Sequence, residues 1–160
     1  MGVFLEFNPP KATHQEKRFK AVGGRVVCYE GDRVRRAREL LRGVLYRARG
    51  VSRYEGPVKL TVFWFFPLKG GHSHLEGYTK RPDLDNLNKL FQDVLVELDF
   101  LRDDAQVVEL HTAKCWSEVP GVYFSIDPLK GGRNGYVFEV LAEDCVDFAG
   151  GVSSSGRGDE

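Results

Sequence analysis

Seven carboxylates crowd residues 83–104 ("DLDNLNKLFQDVLVELDFLRDD"): Asp83, Asp85, Asp93, Glu97, Asp99, Asp103 and Asp104, opposed by Lys89 and Arg102 alone. Carboxylates brought within a few ångströms repel unless one takes up a proton or a cation sits between them. Asp83 and Asp85, two apart in the short segment entering a helix, can point the same way, and Asp103-Asp104 leads directly into a strand. A helix cap accounts for Asp85 alone, but not for two such pairs. All-oxygen donors of this kind suit Mg²⁺ or Mn²⁺, hard ions that keep positions open for water and phosphate oxygens.

The elements that must position these groups follow from periodicity. Leu87, Leu90, Phe91, Val94, Leu95 and Leu98 make the apolar stripe of a helix beginning near Asp85, and Asp85, Lys89 and Asp93 line one edge of it at i, i+4 spacing. Pro82 keeps Arg81 extended. "VFLEF" reads as a strand ended by Pro9-Pro10, and a basic stretch suggests a hairpin around Gly23-Gly24. A second helix opens at about Asp32 as N-cap, repeats Val34, Ala37, Leu40, Leu41, Val44, Leu45 and Ala48 at helical spacing, and stops at Gly50. "PVKLTVFWFFPL" alternates apolar residues on both sides, which describes a central strand buried on two faces, its aromatic side chains in the core. "KGGHSHLEGYTK" is a loop, and "AQVVELHTAKCW", "GVYFSID" and "GYVFEVL" are further strands. The expected fold is α+β: one domain over residues 1–150, a mixed β-sheet packed by two main helices, with residues 151–160 a disordered tail. No internal repeat is present.

Length and composition limit the alternatives. With 160 residues, 42% of them hydrophobic, the chain supports one domain with a real core. No stretch approaches the roughly eighteen apolar residues of a membrane span, and the first ten residues are too charge-poor for a signal peptide, so a soluble cytoplasmic protein is expected. Three cysteines without CxxC spacing argue against a disulfide framework or a thiolate zinc site. His72 and His74 form an H-x-H pair with no third ligand of known proximity, and an exposed polar loop explains them equally well.

The net charge is zero but segregated. Residues 11–53 hold thirteen Lys/Arg against four acids, a balance of +9, while residues 83–104 and the chain from Glu118 onward each stand at −5. That division suggests a polyanion held by one surface and a cation by another.

"RPDLDNLNKLFQDVL" followed by "LRDDAQVVELHTAKCW" contains, in order, D-x-D-N-L-x-K, D-x-L, D-D-x-Q-V and a closing lysine. In this the chain resembles the RusA-type Holliday junction resolvases. The resemblance is close from Arg81 to Lys114 and covers the flanking segments in character only. It implies metal-binding aspartates at Asp83, Asp85 and Asp104, with Asp103 the secondary member of its pair, the helix lysine at Lys89 and a further family lysine at Lys114. It also implies a homodimer that cuts symmetrically related strands of a four-way DNA junction with Mg²⁺, for which Mn²⁺ can substitute. The departures are a longer loop before Asp83 and an acidic, tailed C-terminus.

Phosphodiester hydrolysis is consistent with these residues. A divalent ion on Asp83, Asp85 and Asp104 lowers the pKa of bound water and neutralises phosphate charge. Lys89 either donates charge to the scissile phosphate, the favoured role, or keeps the aspartates ionised, with Asp93 as its partner. Lys69, Lys80, Arg81 and Lys114, with Arg35, Arg38 and Arg42 of the first helix, are candidates for DNA phosphates. One acidic cluster without a repeat means that a second cut needs a second copy. Two rivals stand beside junction resolution: a branched-DNA or fork endonuclease of relaxed specificity, and a catalytically idle junction-binding protein.

Overall fold

Four strands and two helices carry the acidic segment. The computed structural model describes residues 2–11, 17–22, 25–50 and 53–130. In chain order these hold β1 (Val3–Glu6), β2 (Lys17–Val22), β3 (Arg25–Glu30), α1 (Asp32–Tyr46), β4 (Val58–Pro67), α2 (Leu84–Glu97), a 3-10 turn (Asp104–Gln106), β5 (Val107–Ser117) and β6 (Gly121–Pro128). The chain divides into a unit spanning Met1–Leu129 and another spanning Lys130–Glu160, and every described element belongs to the first. The expected strand "GYVFEVL", the domain boundary at residue 150 and the tail at 151–160 lie outside the described residues.

The sheet order is β1-β6-β4-β5, with β4 parallel to β5 and antiparallel to β6, so the sheet is mixed and the architecture α+β. Parallel neighbours need a crossover, and α2 supplies it between β4 and β5. β2 and β3 pair antiparallel, with Val22 opposite Arg25, as the expected basic hairpin requires.

Strict alternation builds the core. Val58, Leu60, Val62, Trp64 and Phe66 of β4 are buried, and pack in one cluster with Val34, Ala37, Leu41 and Leu45 of α1 and Leu87, Leu90, Phe91, Val94 and Leu95 of α2. The other face of β4 is less buried than its reading as largely buried on both faces: Lys59, Thr61, Phe63 and Phe65 are half-buried. Phe65 meets Phe4 edge-on at 5.6 Å and Phe63 stacks on Tyr123 at 6.0 Å, so these rings shield one another across strands.

Helix starts differ by a residue or two from their sequence reading. Gly31 occupies the N-cap of α1, and Asp32, one step inside, pairs with Arg35 at 3.1 Å. Glycine and aspartate both serve as caps, and here the smaller took the position. α2 likewise starts at Leu84 with Asp83 as cap. α1 ends at Tyr46, ahead of Gly50. No described helix is long and apolar enough to cross a membrane.

Candidate active site

α2 presents its first acids at the surface while anchoring itself beneath them. Within "DLDNLNK", Asp83, Asp85 and Lys89 are exposed, and Asn86, Leu87 and Asn88 are buried. Asn88 Oδ1 accepts from Trp64 Nε1 at 3.0 Å, and its Nδ2 donates to Thr112 Oγ1 at 2.9 Å, tying α2 to β4 and β5 at once. A buried amide satisfied this way fixes helix register, since breaking either bond strands a polar group in the core. Asp83 holds the N-cap position, yet its side chain makes no capping bond. Among the described residues neither Asp83 nor Asp85 has an ion pair, so two carboxylates stand unopposed where the helix dipole favours negative charge.

One turn further, about 6 Å along the axis, Lys89 joins α2 to the 3-10 turn. Its ammonium bonds Asp104, and Asp93 lies 3.0 Å away on the same helix edge. The bond to Asp104, then that to Asp93, raises the Lys89 pKa, and the same lysine lowers that of Asp104. Both groups are thereby held charged. The D-D-x-Q motif has a local reason: Asp103 accepts from the Ala105 amide at 2.8 Å, while Gln106 Oε1 accepts from the amides of Arg102 and Asp103 at 2.6 and 3.2 Å. Gln106 Nε2 donates to the carbonyls of Tyr54 and Gly56, at 3.2 and 2.8 Å. This capping box engages Asp103 and directs Asp104 to Lys89.

The ion pairing continues into α1. Arg38 reaches Glu97 at 2.5 Å and Asp93 at 3.7 Å, and Arg42 reaches Glu97 at 3.4 Å. A recess of about 300 Å³ opens there, lined by Arg38, Asp93, Val96, Glu97, Asp103 and Asp104. Arg38 as a partner of Asp93 was not visible in the sequence, because 55 positions separate them and only helix packing brings them together.

Lys114 also has a role beyond its sequence reading. Its ammonium donates to the carbonyls of Lys80 and Pro82, at 2.9 and 2.7 Å, and lies 5.5 Å from the centre of the Tyr78 ring. It therefore clamps the chain immediately before Asp83, across an Arg81-Pro82 bond that is cis. The preceding loop is not loose: it runs along the edge of β5, the Leu75 amide donating to the Trp116 carbonyl and the Trp116 amide to the Glu76 carbonyl, both at 2.8 Å, and the Tyr78 amide to the Lys114 carbonyl at 3.1 Å. His72 stacks on Trp116 at 4.3 Å and bonds Glu76 at 2.8 Å, whereas His74 accepts from the Glu118 amide at 3.3 Å. Both imidazoles thus hold the loop in place. Lys69, Lys80 and Arg81 are exposed around it, Lys80 lying 5.1 Å from the Trp116 ring centre.

The donor chemistry of Asp83, Asp85 and Asp104 fits a hard divalent cation. Among the described residues, however, no three acidic, histidine or cysteine side chains converge closely enough to hold one, and Lys89 is the cation at Asp104.

An acidic helix end, a charged lysine beside it and basic side chains on an α+β frame are the parts of an enzyme that cleaves nucleic acid. The family model for endodeoxyribonuclease RusA matches residues 8–127. A protein of Lactococcus phage r1t named crossover junction endodeoxyribonuclease rusA is 33% identical over 112 residues, covering 69% of this chain and 84% of that protein. The chain belongs to the RusA endodeoxyribonuclease family, whose nucleases are generally divalent-metal dependent.

Proposed function

We propose that this chain resolves Holliday junctions in the cytoplasm by paired, Mg²⁺-supported nicks in opposed strands, as a homodimer with one active site per copy. The observation that carries this reading is the pair of unopposed carboxylates, Asp83 and Asp85, one turn from the Lys89–Asp104 pair. Asp83, Asp85 and Asp104 are the proposed metal ligands. A divalent ion held by these residues would supply a water of lowered pKa and neutralise phosphate charge. Lys89, kept protonated by Asp104 and Asp93, faces the scissile phosphate as a fixed positive charge. Lys69, Lys80 and Arg81 steer the adjoining backbone, and Lys114 holds the chain that carries Asp83.

Two nicks need two sites, and among the described residues one chain holds a single such cluster, so a two-fold pair of copies is the economical assembly. The test mixes active protein with excess Asp85→Asn protein on a plasmid-borne cruciform. Paired nicks give linear DNA and a single nick gives open circles. The reading expects mixed dimers to shift product from linear to nicked. A fall in linear product in simple proportion to dilution, without nicked circles, contradicts it.

A further inference from the structure

α1 carries five arginines, and the fold divides them into two sets. The buried stripe Val34, Ala37, Leu41 and Leu45 faces the core. On one flank Arg38 and Arg42 bind acids of α2, and Arg35 is paired with Asp32. Successive residues turn by about 100°, so Arg36 and Arg38 point about 200° apart. The opposite flank bears Arg33 and Arg36, which with Lys11, Pro10, Ala37 and Leu40 line a groove of about 440 Å³. Lys11, Arg33 and Arg36 are exposed, and no acidic side chain among the described residues pairs with any of them.

Arg33 and Arg36 stand at i, i+3, where like charges destabilise a helix. The fold gains nothing from that pairing; an anion in the groove does. From Arg33 to Leu40 the helix rises about 10 Å, roughly three nucleotide steps of a DNA strand at 3.4 Å each. Leu40, 41% exposed, offers an apolar floor suited to deoxyribose between cationic walls.

We propose that this groove is a second DNA contact, gripping the sugar–phosphate backbone of a junction arm on the flank of α1 opposite the acids. The inference rests on the junction-nuclease reading and adds to it the surface that holds the uncut part of the substrate. Lys11, Arg33 and Arg36 bind phosphates; Arg35, Arg38 and Arg42, already engaged within the chain, do not set the salt dependence.

The experiment measures binding of a labelled four-way junction by fluorescence anisotropy in EDTA, across about 50 to 300 mM salt. Each phosphate contact contributes about 0.9 to the slope of log K against log salt. The variant Lys11→Gln/Arg33→Gln/Arg36→Gln is expected to flatten the slope by between about 2 and 3, while Arg35→Gln leaves it unchanged. A wild-type slope in the folded triple variant overturns the groove. Should that variant fail to fold, Arg36→Lys and Arg36→Gln are compared: a slope difference of about one supports the groove, and equal slopes remove it. Wild-type protein that binds junction no better than linear duplex and cuts neither with Mg²⁺ removes the junction-nuclease reading and the groove with it; intact junction cleavage beside unchanged slopes removes the groove alone.

Discussion

The two flanks of α1 carry the same residue type in different states. Toward α2, Arg38 and Arg42 are locked to Glu97 and Asp93, and through Asp93 the chain of charges reaches Lys89 and Asp104. Away from α2, Arg33 and Arg36 meet no acid among the described residues. An arginine whose partner lies within the fold positions that partner, and one without a partner is available to a polyanion. The same distinction separates the carboxylates. Asp93, Asp103 and Glu97 are engaged as framework, whereas Asp83 and Asp85 stand open at the helix end.

The sharpest way to break this contrast is to remove an open carboxylate. Asp83→Asn and Asp85→Asn should each lower single-turnover junction cleavage by about 10³-fold or more, since each removes a proposed metal ligand. Binding should survive or tighten, because a charge that repels phosphate goes with it. Wild-type cleavage in either variant would return that residue to a surface acid. Lys89→Gln comes next: losing one fixed charge at the proposed site of the reacting phosphate should cost about 10²- to 10³-fold in kcat. It also frees Asp104, so a gain in Mn²⁺ affinity measured by calorimetry should accompany the loss.

Engaged residues should matter less. Arg38→Gln leaves Asp93 and Glu97 facing each other and loosens the support of Lys89, with an expected loss of about 10-fold in cleavage, the lower end for outer-sphere partners. Arg38→Lys should recover part of it. An unchanged rate would show that Asp93 orients Lys89 unaided. Lys114→Met removes the clamp on Lys80 and Pro82 and should lower cleavage by a comparable factor. A Lys114 that served only as a phosphate contact would instead change the salt slope and leave kcat alone.

The smallest effect concerns the loop before Asp83. The Ser73 amide, then His72, holds the Glu76 carboxyl below its ordinary pKa. Its folded value is depressed, so its contribution is complete above the unfolded value of about 4.3. That contribution is lost as pH falls through the lower folded value. Tryptophan emission, reporting Trp116 beneath His72, should show a small acid transition that Glu76→Gln abolishes.

Much of the site was legible because it is local. Asp85, Lys89 and Asp93 share a helix edge by spacing alone, and the Lys89–Asp93 contact of 3.0 Å follows. The buried stripe of α2 and the alternation of β4 were equally readable, since both are short-range patterns. What depends on packing between distant segments was not. Lys114 and Lys80 are 34 positions apart, and Arg38 and Glu97 are 59 apart. Counting arginines on α1 could not separate engaged from open, because that depends on which flank meets α2.

The central claim is a metal-supported nuclease for branched DNA whose chemistry lies at Asp83, Asp85, Lys89 and Asp104. The most direct measurement is cleavage of a synthetic four-way junction, a fork and a linear duplex by the purified protein, each with Mg²⁺ or EDTA, beside Asp104→Asn. The account predicts symmetric cuts in opposed strands of the junction with Mg²⁺, none with EDTA, little cutting of linear duplex, and no cutting by Asp104→Asn. Equal cutting of all three substrates, or full activity in EDTA or in Asp104→Asn, would contradict it.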